Sequence, residues 1–389
     1  MLLSFNMTES SGNKRNKAKK NNGFKFARKQ VLNDFKKIVK ELLYNSAGLQ
    51  DGSWRIIILI NPASGLLKHG FRHRRMIKYL KRLNMVRSGI SSGSPDPESL
   101  PVITIFETEN PAHAAELGVK SALELSENNS HNQRGHRNNR LLLLAGGDGF
   151  HNNILSSIIN KAPGTLKDFS IFRLPMGTGN DSADVKNTDE AFAVLSSPSG
   201  IKKDSIIRIT TSCGKEYTAL NIVSFGLDAY VCELTNNIKE IAGPEIIYKL
   251  SANIAILQYE KKWPLNEWEV QIYKKNENTV LTRKNRFQLV VFGRKGNTTY
   301  GGGLKVLPAE ENFLLVEPLN VMQKIKIKPL FYRGDHRGLP VTEFFNTEKV
   351  VLNYHEPVLM ETDGEVIYLK KEDFPLTISI ISDYLQVIK

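Results

Sequence analysis

Three short segments carry residue types suited to phosphate chemistry. Gly146-Gly147-Asp148-Gly149 follows an unbroken run of leucines. Glycines there let backbone N–H groups approach phosphate oxygens, and a helix starting beyond them adds the positive end of its dipole. The carboxylate of Asp148 can hold Mg²⁺ or accept a proton. Gly177-Thr178-Gly179-Asn180-Asp181 is a second glycine-rich turn, and Asn61-Pro62-Ala63-Ser64-Gly65 is a third, more polar one.

Such turns act together only if the chain brings them to one place. Each follows a short apolar run: 54–60, 141–145 and 169–174. A fourth run, 102–106, leads through Glu107-Thr108-Glu109 into Pro111. Continuous apolar runs of this length fit strands covered on both faces, as in a parallel sheet. Helical segments follow them at 69–83 (strongly basic), 112–125 and 151–160. Strand–turn–helix repeated in this way predicts an open α/β sheet, in which ligands sit beyond the carboxyl ends of the strands. The three turns then converge on one sheet edge. Beyond about residue 203 the pattern changes to alternating runs at 206–211, 217–223, 267–273, 287–292 and 350–354, interrupted by one helix over 244–262. The expected organisation is a basic, partly disordered extension over 1–50, a nucleotide-binding α/β domain over 51–200, and a β-rich, sandwich-like domain over 201–389. Residues 84–100 and 126–140 read as loops.

Leu174 to Asp181 resembles the "PLGTGND" signature of the diacylglycerol kinase catalytic-domain family, which includes bacterial lipid kinases and sphingosine kinases. Gly146 to Gly149 resembles its GGDG loop and Asn61 to Gly65 its "NPxSG" turn. The likeness continues through Phe225-Gly226-Leu227-Asp228-Ala229, Tyr300 to Lys305, and Asp363-Gly364-Glu365. The resemblance implies a site in a cleft between the two domains. ATP phosphates would lie against Gly146, Gly147 and Gly149, with Asn61, Ser64 and Thr108 nearby and Thr178 and Asn180 shaping the floor. Either Asp148 or Glu365 would take the proton of a lipid hydroxyl. The implied cofactors are ATP and Mg²⁺, and the implied partner is a lipid alcohol such as diacylglycerol; no metal ligand set is assigned.

The chain departs from the family at several positions. Phe150 stands where a threonine is usual, and Asn153 where a glutamate is usual, which removes one group able to order Mg²⁺ or nucleotide. Tyr230 does not supply the carboxylate with which sphingosine kinases hold an amino group, which counts against a sphingoid base. Two other functions follow from the same features: an NAD kinase-like activity, because that superfamily shares the GGDG loop, and a catalytically impaired lipid- or nucleotide-binding protein. Residues 246–257 are apolar around most of a helix and can wall a cleft for acyl chains or form buried core.

Composition sets outer limits. The chain has 389 residues, 41% hydrophobic and 24% charged, with two cysteines and a net charge of +13. Between residues 14 and 40 lie eleven Lys and Arg against Asp34 alone. That block, with the basic 68–82 segment, suits peripheral contact with an anionic membrane. Nucleic acid is disfavoured because aromatic residues for base stacking are sparse in the block. No run reaches the ~18–20 apolar residues of a membrane span. The two cysteines form no disulfide framework and no metal-ligand spacing, so a reducing interior, the cytoplasm or its membrane surface, is the expected place. A homodimer is among the states left open. There is no P-loop and no protein-kinase signature. Gly89-Ile90-Ser91-Ser92-Gly93 matches a hydrolase pattern but has no strand before it, and the eight histidines show no zinc spacing.

Overall fold

A computed structural model of the chain describes residues 29–49, 54–68, 100–127, 139–177, 180–238, 244–274, 280–300 and 303–389. Most of the basic 14–40 block, the helix expected over 69–83, nearly all of both predicted loops, Thr178 and Gly179 lie outside these residues.

A helix over residues 29–44 (α1) leads to β1 (Trp54–Ile60), β2 (Val102–Glu107), β3 (Asn139–Gly146) and β4 (Ser170–Pro175). The strands run parallel in the order β2-β1-β3-β4. Helices α2 (Pro111–Glu127) and α3 (Asp148–Lys161) cover one face; α1 and α4 (Thr188–Ser196) cover the other. Alternate strand residues divide between the faces. Ile56, Ile58, Leu141 and Leu143 pack with α1 and α4, and Ile57, Leu59, Leu142 and Leu144 with α2 and α3. Two covered faces favour apolar residues at nearly every strand position, hence the mostly apolar runs; Arg55 and buried Arg173 are exceptions held by Glu124 and by Asp184 and Asp204.

The second half begins with β5 (Ile201–Thr210), β6 (Glu216–Ala219), β7 (Ile222–Gly226), α5 (Leu227–Ile238) and α6 (Pro244–Lys262). It continues with β8 (Glu267–Lys274), β9 (Val280–Arg286), β10 (Leu289–Gly293), β11 (Thr298–Tyr300), β12 (Leu304–Leu307), β13 (Phe313–Val316) and α7 (Val321–Arg333). It ends with β14 (Thr342–Phe345), β15 (Thr347–Asn353), β16 (Val358–Thr362), β17 (Glu365–Leu369) and β18 (Leu376–Ile388). The sheet β14-β13-β10-β7-β16-β17 packs against β18, β15 and β8 around Phe225, Trp268, Phe292 and Phe313. Trp268 stacks on Tyr354 with ring centroids 4.1 Å apart. The α/β half followed by a β-rich sandwich is the architecture the sequence predicts.

Two features differ from that prediction. The second half contains three helices among the described residues rather than one. The missed α7 reads Ile325-Lys326-Ile327-Lys328-Pro329, an alternation of period two followed by a proline, which argues for a strand and against a helix. Its start is fixed by a capping box between Asn320 and Gln323. The run expected over 217–223 is split into β6 and β7, with a turn at Leu220-Asn221. Strand β18 also crosses the expected boundary near residue 200. Its end pairs in parallel with β4 at Val387↔Ile171, while the rest pairs antiparallel with β5 and β15. One sheet therefore runs through both halves.

Candidate active site

The register of the parallel strands puts Ile60, Glu107, Ala145 and Pro175 near one level, so the turns after them leave from one edge. Backbone bonds then tie the turns together. Asn61 N donates to Ala145 O at 3.0 Å, Leu66 N to Met176 O at 3.0 Å, Met176 N to Gly146 O at 2.8 Å, and Thr108 N to Ile60 O at 2.9 Å. The two glycine turns touch backbone to backbone. A Cβ on Gly177 would stand 2.7 Å from Gly147 Cα, so this approach requires glycine. Asn180, with φ +58°, closes its own turn by accepting from Gly177 N at 2.7 Å.

The predicted nucleotide-side residues thus separate into two kinds. Asn61 accepts from Ala63 N within its turn, and Thr108 donates its hydroxyl to Ile60 O. These side chains build the edge. Ser64 is buried at 6% exposure, and its hydroxyl has no hydrogen-bond partner among the described residues. Gly147 caps the N-terminus of α3, and Asp148 and Gly149 open its first turn. Thr178 lies outside the described residues. Phe150 turns inward, packs against Gly146 and joins the core beneath α3. Asn153 donates to Pro111 O at 2.7 Å, which ties α3 to the start of α2.

Asp148 is held by a residue that sequence reasoning missed. Ser182 donates to Asp148 Oδ1 twice, from its backbone N at 2.7 Å and from its hydroxyl at 2.8 Å. Behind Ser182 lies fully buried His151, whose pKa burial pushes down to about 4. A carbonyl only accepts, so neutral His151 donates from Nε2 to Leu144 O at 3.1 Å. Its Nδ1 then lies unprotonated 3.4 Å from Ser182 Oγ. One signal was available: Ser182 directly follows the Gly177–Asp181 turn.

The second half reaches this edge through the β16–β17 hairpin. Asp363 and Gly364 have φ of +50° and +94°, a two-residue turn with both centres in the left-handed region. Asp363 is buried and accepts from Asn221 N and Ile222 N at 3.0 Å each and from Leu220 N at 2.5 Å. Burial raises its pKa to about 6 against those bonds. It is a clamp on the β6–β7 turn. Glu365, the next residue but one, is exposed and points at the glycine loop: its Oε1 stands 3.3 Å from where a Cβ on Gly149 would be. The structure thus brings Glu365 to the Asp148–Gly149 loop from the opposite domain.

Beside the hairpin, α5, α6 and α7 line a half-open cavity of about 100 Å³. Leu227, Val231, Ala252, Ile256, Leu289 and Phe331 make its wall apolar. Residues 246–257 divide between this cavity and the core. Tyr248, Ala252 and Ile256 line the cavity, Ser251 and Ala255 are core, and Leu250 and Leu257 face outward. Asp228 and Tyr248 give the cavity a polar spot, with Tyr248 Oη donating to Asp228 Oδ1 at 3.2 Å. Ser224 Oγ lies 2.7 Å from Asp228 Oδ2 and 3.0 Å from Glu361 Oε2. One hydroxyl hydrogen cannot serve both carboxylates. Burial and the neighbouring Asp228 push Glu361 well above the usual carboxylate range, and burial raises Asp228 to about 6. Protonated Glu361 then donates to Ser224, and Ser224 to Asp228. The other Glu361 oxygen accepts from Gly364 N, so this chain ends in the turn that carries Glu365. Tyr230 is a buried core aromatic beside Tyr259.

These residues fit a nucleotide triphosphate with Mg²⁺. Gly147 and Gly149 contribute no side chains of their own at the start of α3, where only the Glu365 carboxylate comes near Gly149, and the unpartnered Ser64 hydroxyl lies in one of the converging turns. Among the described residues no three His, Cys, Asp or Glu side chains cluster tightly enough to hold a metal by themselves. Mg²⁺ bound through one or two carboxylates and substrate phosphates needs no such cage.

Two family models match the chain. The diacylglycerol kinase catalytic domain covers residues 55–197, and the YegS C-terminal NAD kinase beta sandwich-like domain covers residues 221–389. No curated protein matches. A diacylglycerol kinase from Bacillus anthracis strain Sterne aligns with TM-score 0.52 at 13% identity, over 86% of this chain and 96% of its own. A candidate diacylglycerol kinase from the same strain aligns with TM-score 0.52 at 16% identity, over 86% and 97%. At such identities the likeness to solved structures is one of fold.

Proposed function

Because this chain belongs to the diacylglycerol kinase catalytic-domain family, we propose that it is an ATP-dependent lipid kinase acting on the hydroxyl of diacylglycerol or a related lipid alcohol. One observation carries the lipid assignment. The apolar cavity has a carboxylate at Asp228 that is linked through Ser224, Glu361 and Gly364 to the turn bearing Glu365. An apolar wall with one polar spot suits an acyl chain that carries a hydroxyl at its end.

Bound Mg·ATP supplies the phosphoryl group and neutralises its charge, and transfer of this kind needs positioning more than covalent chemistry. The glycine loops present backbone N–H groups to phosphate. Ser182 fixes one oxygen of Asp148 and so sets the direction of its carboxylate. Apolar residues of α5, α6 and α7 hold the lipid body, and Asp228 and Tyr248 offer its polar end hydrogen bonds. As the acceptor oxygen bonds to phosphorus, its proton passes to Asp148 or Glu365, and ADP leaves. Asn153, engaged with Pro111, adds no carboxylate to this set.

The test is transfer from γ-labelled ATP to diacylglycerol, sphingosine and NAD, each assayed separately. Label in diacylglycerol or another neutral lipid alcohol is expected. Label in NAD alone would overturn the reading, and tight ATP binding with no label anywhere would mark a catalytically silent member of the fold.

A further inference from the structure

We propose that His151 and Ser182 are positioning residues for proton uptake by Asp148, with the Ser182 hydroxyl bonding the carboxylate while it is charged and turning to His151 once it is neutral. Resting on the lipid-kinase reading, this assigns the proton of the lipid hydroxyl to Asp148 rather than to Glu365. Ser182 Oγ carries one hydrogen and lies near two acceptors, Asp148 Oδ1 at 2.8 Å and His151 Nδ1 at 3.4 Å. His151 is fully buried and kept neutral by that burial. Its one N–H is engaged at Nε2 with Leu144 O, so Nδ1 can only accept. While Asp148 is ionised, the hydroxyl hydrogen belongs to the carboxylate, the stronger acceptor, and no hydrogen points at Nδ1. A buried acceptor left unmade in this way is costly.

Proton uptake by Asp148 relieves that cost. As the lipid oxygen bonds to phosphorus and the bond to the leaving ADP oxygen breaks, the hydroxyl proton moves to Asp148 Oδ2, the oxygen that Ser182 does not hold. Oδ1 becomes a neutral carbonyl oxygen and keeps its bond from Ser182 N at 2.7 Å. The Ser182 hydroxyl can then turn to Nδ1, and each buried group has a partner. The proton stays on Asp148; only a hydroxyl rotates. His151 thus favours the protonated carboxyl, whereas the Ser182 hydroxyl favours the ionised one. The other charges around the pair are committed. Arg173 on β4 is paired with Asp184, and Asp363 of the β16–β17 hairpin is bonded to the β6–β7 turn. Among the described residues no such chain stands behind Glu365, which is exposed and lies beside Gly149.

The test uses the full chain. His151→Phe removes the acceptor at similar size, and His151→Asn puts one back beside Ser182. Transfer to diacylglycerol is followed across pH, with thermal midpoints taken to confirm folding. In His151→Phe the hydroxyl stays on Asp148. Its kcat should fall roughly tenfold, the order of one hydrogen bond, while KM for ATP and lipid stays within about twofold. The acid limb of kcat/KM should move to lower pH. Ser182→Ala should move that limb to higher pH, and His151→Asn should recover most of kcat. A loss of kcat with no displacement of the limb, or displacement in the same direction in both variants, would overturn the proposal. A second readout needs no transfer. In nitrogen-15 histidine NMR, the ring whose signals vanish in His151→Phe should be neutral and protonated at Nε2. In Asp148→Asn, a mimic of the neutral carboxyl, its Nδ1 should shift toward the hydrogen-bonded range. An unmoved Nδ1 would sink the switch whatever the kinetics. A wild type that transfers to no lipid, with the Nδ1 shift still present, would leave the switch standing and remove the kinase reading.

Discussion

At the scale of single residues, the site depends on which carboxylates are committed to the fold and which are presented. Asp363 spends its oxygens on three backbone N–H groups, whereas Glu365 reaches Gly149 from an exposed position. Their adjacency in Asp363-Gly364-Glu365 hid this difference, because a clamping carboxylate and a presented one look alike in sequence. Gly177→Ala should force apart the two glycine turns, whose contact leaves 2.7 Å for the new methyl group. Overpacking of this kind costs about 1–3 kcal/mol, and ATP affinity measured by calorimetry should fall at least tenfold. Asp228 adds a pH signature. Its folded pKa of about 6 lies above the ordinary 3.8, so the folded state holds a proton that the unfolded state has released. Stability from this group is full below pH 3.8 and is lost as pH rises to about 6. Asp228→Asn should therefore gain on wild type in thermal midpoint between those limits. A difference independent of pH would show that Asp228 does not titrate there.

At the scale of elements, the first half was the legible part. Apolar runs covered on both faces announce parallel strands, and the turns after them fall on one edge by register alone. The partners of those turns were not legible. His151 and Ser182 are 31 residues apart and meet only because α3 and the turn after β4 share that edge. Helix α7 was hidden by its own alternation and by Pro329, although tertiary packing of Phe331 and Lys324 overrides both. The cavity was half visible, as an apolar helix with no stated partner. Ala252→Trp should fill it. Transfer to a long-chain diacylglycerol should then drop by an order of magnitude or more, with ATP affinity unchanged. Equal loss of both would mean that α6 supports the fold and not the substrate.

At the scale of the molecule, the two halves are joined by more than a linker. Strand β18 extends the first sheet, and a buried ion network sits at the junction. Arg173 on β4 donates to Asp184 and, at 2.8 Å, to Asp204 on β5, which also pairs with Arg294 after β10. Arg173 is 1% exposed, and burial lowers the Arg294 pKa to about 10. Arg173→Met would leave Asp184 buried without its partner, at a cost of about 3–5 kcal/mol, readable in urea denaturation. Asp184→Asn in the same chain should recover part of it. A junction of this kind holds the glycine loop and the β16–β17 hairpin together, so that Glu365 stands beside the loop of Asp148, 217 positions before it in sequence.

The most direct test of that joint site is γ-phosphate transfer from Mg·ATP to diacylglycerol in mixed micelles, with wild type beside Asp148→Asn and Glu365→Gln. Transfer by wild type, reduced at least a hundredfold in Asp148→Asn and clearly impaired in Glu365→Gln while both variants still bind ATP, is the predicted result. Wild-type levels of transfer in both variants would contradict the account, because the chemistry would then lie elsewhere than where the two halves meet.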